Sequence, residues 1–122
     1  MNKKDITISF LRLDGSGKAS EAYEKYIHPE FRHHNPYFRG DAESLKAGME
    51  ENAAKFPNKV FDVQRVLEDG DLVAVHSRIQ LAPDMPKMAV VHIFRFEGDQ
   101  ITELWDVGQQ APKESPNENG LF

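Results

Sequence analysis

The first half of the chain carries hydrophobic side chains at the spacing of helices. Ile6, Phe10 and Leu13 occupy positions i, i+4 and i+7 of one helix face, although the alternation of Ile6 with Ile8 would also suit a strand. Asp41 is a suitable N-cap before a later periodic run. We therefore predict helices over residues 2–13, 20–27 and 42–56, and an irregular segment over residues 30–40, where prolines oppose a helix.

The second half changes to the alternating pattern that is typical of strands. Turn sequences such as Asp69-Gly70 and Gly98-Asp99 separate the runs. The predicted strands cover residues 60–67, 72–81, 88–96 and 101–107. Three helices followed by an antiparallel meander predict an α+β fold. Residues 1–111 fit one domain with one core, and residues 112–122, rich in Pro, Glu and Asn, are predicted to form a loosely ordered tail.

Both faces of the later strands are partly apolar, which bears on assembly. Val91 and Ile93 alternate with Val90, Phe94 and Phe96 in one run. A sheet with one solvated face would alternate cleanly between apolar and polar residues. Three short helices can cover only one face, so we predict a homodimer in which a second copy covers part of the outer sheet face.

Composition and charge narrow the classes of partner. The formal net charge is -5 and no run of Lys or Arg occurs, which argues against nucleic acid or an anionic membrane. There is no cysteine, and the five histidines lack the spacing of metal ligands, so we predict no metal and no cofactor. No apolar run reaches the roughly 18 residues that a membrane-spanning helix requires. The negative charge favours neutral or hydrophobic small-molecule partners. Asp5 precedes the N-terminal apolar stretch and Arg12 interrupts it, which argues against a signal peptide, so we predict a cytoplasmic protein.

Asp106 is an ionisable residue near the end of the last predicted strand, among neighbours that favour burial. A carboxylate there must be paired, neutralised or used. Burial in an apolar pocket raises the pKa of a carboxyl group, which allows proton exchange with a carbon acid near neutral pH. Pairing with an arginine or with backbone N–H groups is an equal alternative, so both interpretations stay open.

His76 lies in the apolar run of residues 72–77 and needs a polar partner. As a neutral imidazole it could orient Asp106 or polarise a carbonyl group, with Arg78 as a counter-ion on the same strand face. A core histidine that bonds to the backbone is at least as plausible from the pattern.

The position of His92 depends on the hairpin that joins the last two strands. If Gly98-Asp99 is a two-residue loop in a regular ladder, His92 faces Trp105. Only a bulge or a three-residue loop sets His92 across from Asp106. We keep His92 as a candidate catalytic residue on that condition.

Several further residues could contact a ligand. His34 and Asn35 fall in the irregular segment and could reach a pocket mouth, although an Asn-Pro pair is also a local turn former. Aromatic residues could line a pocket for a planar, carbon-rich ligand, although they are ordinarily core. His28 and His33 are predicted to face solvent. The predicted binding residues are His34, Asn35, Tyr37, Arg78, Phe94 and Trp105.

The order of four motifs resembles the SnoaL-like polyketide cyclase family of the NTF2-like superfamily, over residues 2 to about 110. They are His34-Asn35-Pro36, Val75-His76-Ser77, Ile93-Phe94-Arg95-Phe96 and Trp105-Asp106-Val107. The resemblance implies a cone-shaped, curved antiparallel sheet wrapped around three helices and open into an apolar pocket. It also implies dimerisation through the outer sheet face. Aldol ring closure without a cofactor is the implied chemistry, with Asp106 as the acid/base group. Many members carry His at the position of Leu104 and Asp at the position of His92.

These patterns lead to one main hypothesis and two rivals. In the main hypothesis Asp106 moves a proton at a carbon next to a carbonyl, and His76, with His92 or His34, binds the enolate oxygen. The rivals are a non-catalytic module that binds an apolar ligand and a dimerising scaffold. An Asp106 carboxyl held by Arg78 or Arg95 would favour binding or structure, whereas one beside a histidine in the interior would favour catalysis.

Overall fold

A computed structural model describes all 122 residues, which form three helices and a five-stranded sheet. The helices are α1 (Lys3–Gly15), α2 (Ala19–Tyr26) and α3 (Ala42–Lys55). The strands are β1 (Ile27–His33), β2 (Val60–Asp69), β3 (Leu72–Gln80), β4 (Met88–Glu97) and β5 (Gln100–Gln110). Their order in the sheet is β1-β5-β4-β3-β2. The α+β class, the three helices and the four later strands are confirmed. None of the helices combines the length and the apolar character that crossing a bilayer requires.

Side-chain caps and apolar faces explain why the helices form where they do. The Asn2 side chain accepts the backbone N–H of Asp5 at the start of α1, and Asp41 caps α3 by accepting the N–H of Ser44 at 2.9 Å. The buried face of α1 places Phe10 edge-on against Phe94 of β4, with ring centroids 5.7 Å apart. The helices therefore pack on one face of the sheet, here named the inner face.

The prediction that residues 30–40 are wholly irregular is wrong, because residues 27–33 form β1. This strand runs parallel to β5 at the sheet edge and pairs with it at only three positions, with an irregularity between Ile27 and Arg32. Pro29 lies within that irregularity. An edge strand tolerates a proline because one side of its backbone needs no partner. The sheet is therefore mixed and open, rather than purely antiparallel.

A bulge in β5 fixes which residues of the last hairpin oppose each other. Next to the turn, Phe96 pairs with Ile101 in a regular ladder, but Arg95 pairs with Glu103, so Thr102 is the extra residue. The Thr102 hydroxyl donates to the Arg95 carbonyl at 3.2 Å. Beyond the bulge every pair is shifted by one residue, and His92 opposes Asp106.

The last residues return to the other side of the sheet, here named the outer face. The Phe122 ring centroid lies 6.4 Å from that of His76 and 5.9 Å from the Arg78 guanidinium carbon. Leu121 is half-buried beside them. The tail thus covers a small part of the outer face.

Candidate functional site

Asp106 and His92 lie opposite each other on the inner face of the sheet. Successive side chains of a strand point to opposite faces, and the next inner pair along the same strands is buried Phe94 with Leu104. Asp106 is therefore directed towards the helices and away from the outer face. Its carboxylate Oδ2 accepts a hydrogen bond from the Asn35 side-chain amide at 2.9 Å. None of the arginine ion pairs of the structure includes Asp106.

The His92 ring is held between two aromatic rings in the interior. The centroids of Phe61 and Phe94 each lie 6.1 Å from that of His92, with nearly parallel planes. The Nδ1 atom is buried and has no hydrogen-bond partner in the protein. Burial lowers the pKa of His92 from 6.5 to about 4, against the opposing effect of the nearby Asp106 charge. The imidazole is therefore neutral at neutral pH.

Asn35 has both of the uses that were weighed for it from the sequence, a local turn and a contact with the site. Its side-chain oxygen accepts the Tyr37 backbone N–H at 3.0 Å and forms a local turn. Its amide nitrogen reaches Asp106 at the same time. The Asn35 backbone N–H donates to His33 Nδ1 at 3.1 Å, which fixes the segment further.

The expectation that His33 faces solvent is wrong, because its side chain is 5% exposed. It is part of the inward-facing pattern of β1, beside buried Phe31. Its Nε2 atom bonds to the Arg39 carbonyl, so both ring nitrogens are used in holding the chain that carries Asn35. His28 is half-buried, and its Nδ1 accepts the Glu30 backbone N–H at 3.0 Å.

His76 and Arg78 lie on the outer face, so their expected contact with Asp106 does not form. The inner position on β3 opposite His92 belongs to Val75, and His76 pairs with Val91. His76 instead contacts the Arg65 guanidinium. Arg78 forms an ion pair with Asp62 at 2.7 Å.

Trp105 and His34 also lie on the outer face, where they surround a second carboxylate. The His34 ring stacks on Trp105 with centroids 5.2 Å apart, and its Nε2 lies 2.6 Å from Glu103 Oε2. Arg32 donates twice to Glu103, at 3.0 and 3.2 Å. These hydrogen bonds, that from Arg32 above all, lower the pKa of Glu103 to about 2. Glu103 is therefore a carboxylate at all ordinary pH values.

The remaining predicted binding residues also lie in different parts of the structure. Phe94 lies on the inner face and is fully buried in the core beside His92. Tyr37 is 86% exposed and contacts the site only through its backbone. The inner face thus brings together Asp106, His92, Asn35 and Phe94, while His76, Arg78, His34, Trp105 and Tyr37 lie elsewhere.

Three polar residues that the sequence analysis did not select have buried side-chain atoms in the interior. Atoms of Asp14, Tyr23 and Ser77 lack hydrogen-bond partners. Burial raises the pKa of Asp14 to about 7, although the positive charge of Lys59 acts to lower it. A sequence signal existed for Asp14, which follows Phe10 by one helical turn on the buried face of α1.

Asp106 lines none of the five main surface cavities. The largest, about 610 Å³, lies beyond the ends of β3 and β5 and includes Gln80, Met85 and Gln110. A smaller one of about 220 Å³ on the outer face includes His76 and Leu121. No group of three or more His, Asp or Glu side chains is arranged to hold a metal ion.

Comparison with known proteins gives a family. The model of the SnoaL-like domain family matches residues 15–104. The chain belongs to the SnoaL-like domain family. The recognition made from the motifs is thereby confirmed, and the structural relatives of this SnoaL-like protein confirm the NTF2-like fold. No curated protein matches the sequence.

Three solved structures illustrate the similarity. A proposed polyketide cyclase from Acidithiobacillus ferrooxidans is 26% identical with a TM-score of 0.70, over 88% of this chain and 87% of that one. IdmH, a proposed polyketide cyclase from Streptomyces antibioticus, is 19% identical with a TM-score of 0.71, over 89% and 93% of the two chains. AclR, a proposed hydroxylase from Streptomyces galilaeus, is 18% identical with a TM-score of 0.74, over 88% of each chain. The last two share the fold alone.

Proposed function

We propose that this SnoaL-like protein performs acid/base chemistry without a cofactor on a hydrophobic carbonyl compound, either aldol cyclisation or double-bond isomerisation. The observation that carries the proposal is the β5 bulge, which sets Asp106 opposite His92 in the interior. The similarity to the proposed polyketide cyclase from Acidithiobacillus ferrooxidans supports it. One relative is a proposed hydroxylase, so the fold does not decide the reaction.

In this mechanism Asp106 is the proton carrier. Its carboxylate takes a proton from the carbon next to the substrate carbonyl, and the electron pair of the C–H bond forms the enolate. The Asn35 amide occupies Oδ2, so it orients the carboxylate. Returning the proton to another carbon gives isomerisation, whereas attack of the enolate carbon on a second carbonyl gives ring closure.

His92 binds the oxygen on which charge develops. A neutral imidazole carries one N–H donor, and the lowered pKa keeps His92 in that form at neutral pH. The ring is fixed by Phe61 and Phe94, so little reorganisation is needed when the enolate forms. His76 and His34 take no part in this proposal, because they lie on the outer face.

The test measures proton exchange at carbon directly. The probe is 2-tetralone, an apolar ketone that enolises, and deuterium incorporation next to its carbonyl is followed by ¹H NMR in D₂O. We expect Asp106→Asn to reduce the protein-catalysed rate by about 100-fold or more, the usual contribution of a general base. Asp62→Asn is the matched control, because Asp62 pairs with Arg78 away from the interior.

Each other outcome has a defined meaning. An Asp106→Asn rate equal to that of the unmodified protein would show that the acid/base assignment is wrong. Saturable binding of 2-tetralone without any acceleration of exchange would favour the rival, a non-catalytic module for apolar ligands.

The outer face is the proposed contact surface of a homodimer. Val107 is 66% exposed there, and Val91 and Ile93 are only partly covered. Burial of this surface against a second copy would remove apolar area from water. Light scattering at micromolar concentration should give the mass of a dimer, and a monomer would contradict the assembly.

A further inference from the structure

A short loop at the end of β1 carries Asn35 to the Asp106 carboxylate. It begins after His33 and closes at Gly40, whose carbonyl accepts the His33 backbone N–H at 3.3 Å. The Asn35 side-chain amide bonds to Asp106 Oδ2 from within this loop. A side chain is oriented only as well as its backbone is held, so the bonds that hold the loop bear on the orientation of the carboxylate.

The hydrogen bonds of Asn35 fix which way its amide group points. Its Oδ1 atom accepts the Tyr37 backbone N–H at 3.0 Å, so the Nδ2 atom is the one that faces Asp106. An amide nitrogen donates and a carboxylate oxygen accepts, as the contact at 2.9 Å requires. One conformation of the Asn35 side chain therefore makes both the turn and the contact with Asp106.

Both nitrogens of the His33 ring bond to the backbone of the loop. The Asn35 backbone N–H donates to Nδ1 at 3.1 Å, so Nδ1 carries no proton. The other bond joins Nε2 to the Arg39 carbonyl, which can only accept, so Nε2 carries the proton. The ring is thus the neutral Nε2–H tautomer, and it joins the first part of the loop to the last.

The His33 ring is itself held in the interior. It is buried beside Phe31, with ring centroids 6.3 Å apart and planes 29° from parallel. On the backbone side His33 pairs with Leu104 of β5, two residues before Asp106. Because the ring is packed and the backbone is paired, the loop positions that the ring holds are fixed relative to β5.

We propose that His33 is a positioning residue of the acid/base site. Through Nδ1 it holds the backbone of Asn35, and Asn35 holds the Asp106 carboxylate in the orientation that removes the proton. The second ring nitrogen has a different part, because Nε2 closes the loop at Arg39 without contacting Asn35. The inference rests on the proposed function, since it assigns His33 to the reaction of Asp106.

Two substitutions of His33 remove one of these bonds each. The Oδ1 atom of asparagine lies close to the place of Nδ1, so His33→Asn retains an acceptor for the Asn35 N–H and loses the bond to Arg39. Glutamine reaches about as far as Nε2, so His33→Gln retains the donor to Arg39 and loses the acceptor. Each variant lacks one buried hydrogen bond, so their losses of stability in urea should be similar.

Position and function have separate readouts. Position is read from the Asn35 side-chain amide signal in ¹H–¹⁵N NMR spectra, assigned with Asn35→Ser, and function from 2-tetralone exchange. In His33→Gln we expect the signal to shift and kcat to fall about 10-fold at constant KM, because the base is misplaced while substrate binding is untouched. His33→Asn should keep the signal and lose less than about 3-fold in kcat.

His28 provides the matched control on the same strand. Its Nδ1 accepts the backbone N–H of Glu30, two residues further on, just as the Nδ1 of His33 accepts that of Asn35. His28 lies near Glu97, at the other end of β4 from the residues that oppose Asp106. His28→Gln therefore removes the same kind of bond at a distance from the site. It should change neither the Asn35 signal nor the exchange rate.

Other results would overturn the inference. These are an Asn35 signal or an exchange rate that is unchanged in His33→Gln, equal losses of kcat in His33→Gln and His33→Asn, an equal loss in His28→Gln, or a His33→Gln chain that does not fold, since the role would then be structural. Loss of exchange in Asp106→Asn together with an unchanged rate in His33→Gln would retain the mechanism and reject the role of His33. Absence of exchange in the unmodified protein would reject both.

Discussion

Two carboxylates on the same strand have opposite surroundings. Glu103 lies on the outer face and is held by Arg32, His34 and Arg95. Asp106, three residues further on, lies on the inner face with one amide partner and an imidazole opposite. A carboxylate that accepts three hydrogen bonds stabilises structure and has little capacity to exchange a proton. A half-buried carboxylate with one amide partner keeps lone pairs free to accept a proton.

The same contrast extends to the two faces of the molecule. Outer-face polar side chains form ion pairs, as Arg78 does with Asp62. Inner polar atoms of Asp14 and His92 are unpaired. Polar groups should therefore add stability on the outer face and reduce it in the interior. The variants below test that difference in order of the expected effect.

The largest effect is expected for Asp14→Asn. The folded-state pKa of Asp14 is raised from 3.8 to about 7. The contribution of this group to the free energy of unfolding is therefore complete below pH 3.8 and is lost as the pH rises through 7. The shift corresponds to at most about 4 kcal/mol at pH 9, since one pKa unit is worth about 1.4 kcal/mol. Asp14→Asn should recover part of the free energy of unfolding that is lost at pH 9, as measured by urea denaturation between pH 4 and 9. A variant that is less stable than the unmodified protein at pH 9 would contradict the expectation that interior polar groups reduce stability.

His92→Phe should remove a loss of stability that the unmodified protein shows at acidic pH. The pKa of His92 falls from 6.5 to about 4 on folding. The contribution of His92 to the free energy of unfolding is therefore complete above pH 6.5 and is lost as the pH falls through 4. The loss amounts to at most about 3 kcal/mol. The difference in unfolding free energy between pH 7 and pH 4 should shrink accordingly in the variant. An unchanged pH dependence would mean that the ring is hydrated in the folded state.

Glu103→Gln should act in the opposite direction. The folded-state pKa is lowered from 4.5 to about 2, so this carboxylate contributes stability above pH 4.5 that is lost as the pH falls through 2. Arg32 is 71% exposed and can be rehydrated, so we expect a loss of only about 1–2 kcal/mol at pH 7. The rate of 2-tetralone exchange should not change. A strongly reduced rate would place chemistry on the outer face.

Arg78→Gln should have the smallest effect. The side chains of Arg78 and Asp62 are 38% and 47% exposed, and exposed pairs contribute about 0–1 kcal/mol. Chemical denaturation should detect little difference at pH 7, and exchange of 2-tetralone should be unaffected. A large loss of exchange would restore Arg78 as a functional residue.

Local patterns were sufficient to predict most of the fold. The spacing of Ile6 and Phe10, the Asp41 cap and the alternating later runs gave all three helices and four strands. Strand β1 was missed because Pro29 reads as a helix end and its pairing with β5 is distant in sequence. Parallel pairing to a distant strand leaves no local signal.

The candidate site was less predictable because it depends on register. The sequence defined the condition under which His92 meets Asp106, but only the structure locates the extra residue at Thr102. His76 was expected beside Asp106, although adjacent Val75 holds the inner position. A change of one residue in register moves a side chain to the other face, and no local pattern fixes it. Asp14 was missed because it lies just beyond the helix predicted over residues 2–13, and Ser77 because a single small polar residue in an apolar run is a weak signal.

The backbone that carries Asn35 is tied to the same strand as the carboxylate it orients. The His34 backbone N–H donates to the Leu104 carbonyl at 3.0 Å, two residues before Asp106. Base and orienting amide are thus joined through β5, and neither belongs to α1 or α2. Substitutions on α1 or α2 should therefore leave the distance between the Asn35 amide and the Asp106 carboxylate unchanged.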